Sequence, residues 1–165
     1  MGYRELFLVL AAVLLLSMMS VSVNNNLSQG KEALQDIEIA HMAVGITQQF
    51  IEEAKSKKFD EVVGTLDPSN MPSGFTPWNA LGHGAGETYP NFDDVDDYNN
   101  FSNTVSVQGI PFSVSIQVGY VQDTNPEQIV STQTFFKKMT VTVTSSWFTG
   151  SVTLKHIFSY YGSDL

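Results

Sequence analysis

Residues Leu6 to Val23, LFLVLAAVLLLSMMSVSV, form an apolar run without a charge, a proline or a glycine. At roughly 18 residues it reaches the lower end of what a bilayer-spanning helix needs. Beyond it the pattern changes without stopping. Leu27, Leu34, Ile37, His41, Val44, Gln48, Ile51 and Ala54 recur at spacings of three, four or seven. That is the period of a helix with one apolar side. Lys31, Glu32, Asp36, Glu38, Gln49, Glu52, Glu53 and Lys55 fill the other side. The pattern predicts two helical segments, about 3–22 and about 30–59, joined end to end. Asn24, Asn25, Asn26 and Gly30 between them are poor helix formers and mark the weak point.

From Asp60 the helical period ends. Residues 61–91 hold Gly, Pro, Ser and Asn at loop density, with Phe75 and Trp78 expected to pin the loop to the body. The last third alternates with period two. Val105 and Val107 share one side of a strand over Thr104–Gln108. Phe112, Val114, Ile116, Val118 and Tyr120 share a side of the next, after a tight connection at Gly109-Ile110-Pro111. Met139, Val141 and Val143 do so in a third strand, with Thr140, Thr142 and Thr144 outward. Val152, Leu154, Phe158 and Tyr160, with His156 among them, do so in a fourth. Asp123 to Gln133, around Asn125-Pro126, reads as a loop. An antiparallel sheet with one apolar face needs a cover, and 30–59 is the amphipathic segment available for it. The expected fold is therefore α+β: a long N-terminal helix, 1–59, packed on a sheet of about four antiparallel strands within 60–165.

Composition narrows the chemistry. The net charge is -9, with Lys+Arg 8 against Asp+Glu 17. Such a chain repels phosphate backbones, so nucleic acid is not an expected partner. Cysteine is absent, which removes thiol catalysis and Cys-based zinc sites. His83, in GHGAG, has no second histidine cluster beside it in sequence and reads as a surface turn. His156 reads as a half-buried strand residue. There is no Ser-His-Asp spacing and no phosphate-binding glycine loop, so an enzyme is not expected and no cofactor is, save one metal. Asp93, Asp94, Asp96 and Asp97, in FDDVDDYNN, crowd four carboxylates into five positions. A hard cation such as calcium would neutralise them. The bland reading is a solvated turn with aspartates hydrogen-bonding nearby backbone. Trp78, Trp147, Tyr89 and Tyr98 could stack on sugars or serve as packing pins.

Arg4 and Glu5 precede the apolar run. A cleaved signal peptide wants a net positive flank, and Glu5 neutralises Arg4. A carboxylate at the edge of hydrocarbon is costly unless it snorkels or finds a cation. One such cation is the α-amino group of a neighbouring copy of the same helix.

A helix apolar in its first half and amphipathic in its second, followed by a loop and an antiparallel sheet, resembles the type IV pilin and pseudopilin superfamily. With Met1 counted first, Glu5 falls where that family carries its glutamate. AVGITQQFIEEAKSKKFDE resembles the second half of the family's helix. TFFKKMTVTVTSS followed by GSVTLKHIFSYY resembles its late strand pair, and FDDVDDYNN one of its loop motifs. The resemblance implies a structural filament subunit. It would be held in the inner membrane as a monomer, then transferred by assembly machinery into an extracellular homopolymer at the cell surface. Glu5, Met1, Leu6, Leu8, Leu10, Val13, Leu14 and Leu16 would form the assembly surface. Asn24–Asn26 and Gly30 would take the place of the family's helix-breaking proline. The rival readings are a minor pseudopilin of a secretion machine and a single-pass membrane-anchored module that binds a glycan or a surface.

Overall fold

The structure is a computed structural model that describes residues 2–63 and 74–162. The chain divides into two compact units, Met1–Ile39 and Ala40–Leu165. One α-helix, α1 (Tyr3–Lys55), begins in the first and ends in the second. Asn24, Asn25, Asn26 and Gly30 lie inside regular helix. In the first unit the apolar side chains from Leu6 to Val23 are exposed, Leu8 at 71% and Met18 at 72%. The helix is long and apolar enough there to cross a membrane. Met1 lies outside the described residues.

The end of α1 differs from the expected residue 59. Ser56 and Lys57 amides bond to the carbonyls of Glu53 and Ala54, three residues back, so the last turn tightens. The chain then leaves the helix to pair with the acidic loop. The Lys58 amide donates to the Asp93 carbonyl at 3.1 Å, and the Val95 amide to the Lys58 carbonyl at 3.0 Å. That pairing puts Phe59 and Asp60 inside.

The buried side of α1 is also rotated from the predicted stripe. Ala43, Ile46, Thr47, Phe50, Ile51 and Ala54 are buried, whereas His41 and Gln48 are exposed. Both stripes have helical spacing. Covering Ile46 and Phe50 removes more apolar area from water than covering His41 and Gln48, and that difference selects the face.

The sheet has five strands, one more than expected: β1 (Ser102–Val107), β2 (Ile110–Gln122), β3 (Asn125–Ile129), β4 (Phe136–Thr144) and β5 (Ser151–Ser159). All pairings are antiparallel, in the order β1-β2-β4-β5, with β3 paired to the end of β2. β3 lies where a loop was predicted. Its sequence, NPEQI, is mostly exposed and has no apolar alternation, because it is held by the β2 backbone and not by a core face. The turn between β1 and β2 is Gln108-Gly109, not Gly109-Ile110-Pro111. Both turn residues have positive φ, 52° and 82°. Two successive residues of that kind match the natural twist of a two-residue hairpin.

The even residues of β2 from Phe112 to Tyr120 and the odd residues of β4 from Lys137 to Val143 are buried. The buried side of α1 within the second unit covers them. Beyond β4 an aromatic cluster joins Phe59, Phe75, Tyr120 and Tyr160. A second joins Phe50, Tyr89, Phe92 and Phe101, with ring centroids 5.0–6.0 Å apart. Phe75 thus pins its loop as expected, at 2% exposure, but Trp78 is 52% exposed and does not.

Candidate functional site

The acidic loop meets β4 through a lysine. Inward alternation on β4 runs Val143, Val141, Met139 and then Lys137, so the strand itself carries a cation into the core. Lys137 is fully buried. Its Nζ donates to the Phe59 carbonyl at 2.7 Å, to Asp60 Oδ2 at 2.8 Å and to Asp96 Oδ1 at 2.5 Å. It also lies 4.6 Å from the Phe59 ring centroid and 5.4 Å from that of Tyr120. Asp60 is held from the other side. The Thr76 amide reaches its Oδ2 at 3.0 Å, the Thr76 hydroxyl reaches its Oδ1 at 3.2 Å, and the Tyr120 hydroxyl lies 3.2 Å from Oδ2. Burial, reinforced by Asp60, pushes the Tyr120 hydroxyl well above its ordinary range.

The four candidate aspartates do not share one role. Asp94 Oδ1 accepts the amides of Asp96 and Asp97, at 2.8 and 3.1 Å. Asp97 Oδ2 accepts those of Asp93 and Asp94, at 3.0 and 3.3 Å. Side chains therefore fold the loop by replacing backbone partners. The backbone bonding is what the bland reading expected, but the turn is not solvated, since Asp94, Asp96 and Asp97 are all buried. Burial first, then the charges of Asp96 and Asp97, pushes the Asp94 carboxyl up to about 8. Burial also raises Asp96, against the opposing pull of Lys137.

A cation would meet a different ligand set from the four aspartates. Asp93 and Asp94 come together with Glu61, and Asp93 and Asp97 with Glu87. Asp96 belongs to neither group and turns to Lys137. One oxygen favours a cation here: Asp93 Oδ1 is buried with no hydrogen-bond partner among the described residues. Asp93 Oδ2 already pairs with Lys58 at 3.1 Å. All-oxygen, carboxylate-rich chemistry suits calcium. Glu61 and Glu87 were not foreseen as partners, because their approach depends on the path of the intervening loop.

At the other end of the chain, Glu5 is occupied locally. The Gly2 amide donates to its Oε2 at 3.2 Å, and the Glu5 amide donates to the Gly2 carbonyl at 2.9 Å. Leu6, Leu8, Leu10, Val13, Leu14 and Leu16 are 54–71% exposed on the same helix.

The other candidates stand apart. His83 is exposed and stacks on Phe92, centroids 5.9 Å apart. His156 is half-buried on β5, and burial, then Lys55, lowers its pKa. Tyr89 and Tyr98 are packing pins, since both hydroxyls donate to Glu53, at 3.1 and 2.7 Å. Trp147, like Trp78, is exposed, at 59%. No protein-family model, curated protein or solved structure matches the chain.

Proposed function

We propose that the chain is the structural, non-enzymatic subunit of an extracellular filament, polymerising through its N-terminal apolar helix. One observation carries this reading. Leu6–Val23 lie exposed on the same helix whose far end buries its own apolar side under the sheet. A surface of that extent requires lipid or other chains. The subunit waits with this stretch in the inner membrane, Arg4 marking the cytoplasmic side. Assembly machinery then moves the helix from lipid into a bundle of identical helices. Side-chain packing replaces lipid contacts, and Glu5 exchanges its local bond for a cation on a neighbouring copy. Repetition through a contact that does not close gives an open filament. A minor pseudopilin would share this chemistry at lower abundance.

Electron microscopy of sheared cell-surface material tests the polymer. Filaments containing this chain are expected, and recovery only as a detergent-soluble, non-filamentous species overturns the reading. Glu5→Ala is expected to slow or abolish assembly; filaments of normal number and length would remove Glu5 from its role.

The exposed Trp78 and Trp147 favour a second reading, a membrane-anchored module that stacks on a glycan. Binding of oligosaccharide lost in Trp78→Ala, with no filaments found, would select it.

The acidic loop takes calcium in the proposed subunit, through Glu61, Glu87, Asp93, Asp94 and Asp97. A melting temperature of the full chain that falls on chelation and recovers with calcium supports this. An unchanged melting temperature rejects it.

A further inference from the structure

Lys137, Asp60 and Asp96 bring an amine, a carboxyl group and a second carboxylate together where water is excluded. Their side chains are 0%, 0% and 3% exposed. The rings of Phe59 and Tyr120 enclose the amine. Asp60 carries the features of an acyl donor. The Thr76 amide and hydroxyl bond its oxygens, ready to stabilise negative charge developing there, while the Tyr120 hydroxyl, 3.2 Å from Oδ2, donates at 2.8 Å to the Thr76 carbonyl. Asp96 lies nearer the amine than Asp60 does, 2.5 Å against 2.8 Å. We propose that Lys137 and Asp60 condense to an intramolecular isopeptide bond, with Asp96 carrying the protons.

The step balances without a co-reactant. Asp96 takes a proton from the Lys137 ammonium and passes it to a carboxylate oxygen of Asp60. The free Nζ attacks Asp60 Cγ, and the tetrahedral adduct places its negative oxygen against the Thr76 amide and hydroxyl. Asp96 then removes the second proton from Nζ and delivers it to the departing hydroxyl. The Nζ–Cγ bond forms, one Cγ–O bond breaks and one water leaves. Nothing is oxidised or reduced. A cavity of about 360 Å³, lined in part by Thr76 and Asp96, gives that water an exit. Fixed proximity supplies what dilute amines and carboxylates lack. Removing both charges from a dry site also relieves the desolvation cost of a buried ion pair.

The bond would close a loop between positions 77 residues apart. It would tie the chain just beyond α1 to β4, which is paired on both sides. If the filament reading holds, tension entering through the helix would meet a covalent link before it reached the sheet's hydrogen bonds. The bond itself does not depend on that reading.

Peptide mass spectrometry of the purified full chain, cleaved after glutamate, tests it. The expected product is a branched peptide joining Ala54–Glu61 to the peptide that carries Lys137, lighter than their sum by one water. Fragmentation should place the branch at Asp60 and Lys137. Separate, unmodified peptides from the wild-type chain overturn the proposal, leaving an ion cluster. A branch at Asp96 overturns the assignment of Asp60. Lys137→Arg is expected to give no branched peptide. Asp96→Asn, which keeps the side-chain shape, is expected to reduce the branched fraction at least tenfold in the folded protein; an unchanged fraction removes Asp96 from proton transfer.

Discussion

On β4 every second side chain from Met139 to Val143 is apolar and covered, and Lys137 continues that series one step earlier. Its partners lie far away in sequence, at Asp60 and Asp96. Truncating Lys137 strands the buried Asp60 and Asp96 carboxylates, which for a buried ion cluster typically costs about 3–5 kcal/mol, and it removes the proposed Lys137–Asp60 bond as well. Lys137→Met is therefore expected to lower unfolding free energy by at least about 3 kcal/mol in denaturant titration. Glu53 is a milder case. Glu53→Ala leaves the Tyr89 and Tyr98 hydroxyls without their acceptor, and about 1–3 kcal/mol should be lost. Asp94 sets a pH dependence. Its folded carboxyl is raised to about 8, from an ordinary value of 3.8. Across that interval the folded chain holds a proton that the unfolded chain has released. The stability contributed by Asp94 should thus be full below about pH 4, fall as pH rises towards 8, and be absent above. Asp94→Asn keeps an oxygen for the Asp96 and Asp97 amides, and melting curves in chelator should show a smaller decline over the same interval. The spacing of the aspartates was legible in sequence, but Lys137 was not placed, because the apolar alternation that marked the strand begins at Met139 and the strand itself at Phe136. That Asp96 faces the lysine while Asp93, Asp94 and Asp97 face Glu61 and Glu87 was not legible either, because it depends on a turn of three residues, Asp96–Tyr98.

Among the elements, those held by apolar pattern were legible and those held by backbone were not. β2, β4 and β5 each carry the alternation that burial demands; the structure lengthens the first two by two or three residues at an end and shifts β5 back by one, so that Tyr160 falls in the short helical turn after it. β3 has no such signal, since its place is taken from the free end of β2. The helix shows the same division. Its existence followed from periodicity, but its end at Lys55 follows from Lys58 pairing with Asp93 and Val95. The Gln108-Gly109 turn depends on its glycine. Gly109 has φ 82°, and an added Cβ meets nothing within 4 Å. Gly109→Ala therefore costs backbone strain without a clash, and a loss of about 1 kcal/mol is expected from chemical denaturation. Gly30 gives the converse. It lies in helix with open space around it. Gly30→Ala should strengthen that turn by about 1 kcal/mol, seen as slower amide hydrogen exchange over residues 24–30. Unchanged exchange would show that Gly30 does not weaken the helix.

For the whole molecule, charge and apolar surface act at opposite ends of the length scale. The net charge of -9 opposes close approach of one copy to another, whereas the apolar run demands it. In the proposed filament the two are reconciled if the helices lie inside and the acidic sheets outside. Filaments should then stay separate near neutral pH and bundle when acid protonates the carboxylates, as light scattering would report. Bundling that ignored pH would place the charge elsewhere. Length, charge and periodicity by themselves determined an α+β chain with an apolar helix able to cross a membrane, because those properties are local and additive along the sequence. Tertiary structure alone decided which side of the helix is buried, where a fifth strand forms, and that a lysine on β4 closes on two distant aspartates. Each of these is a competition among partners remote in sequence, and only the folded geometry brings the competitors within reach.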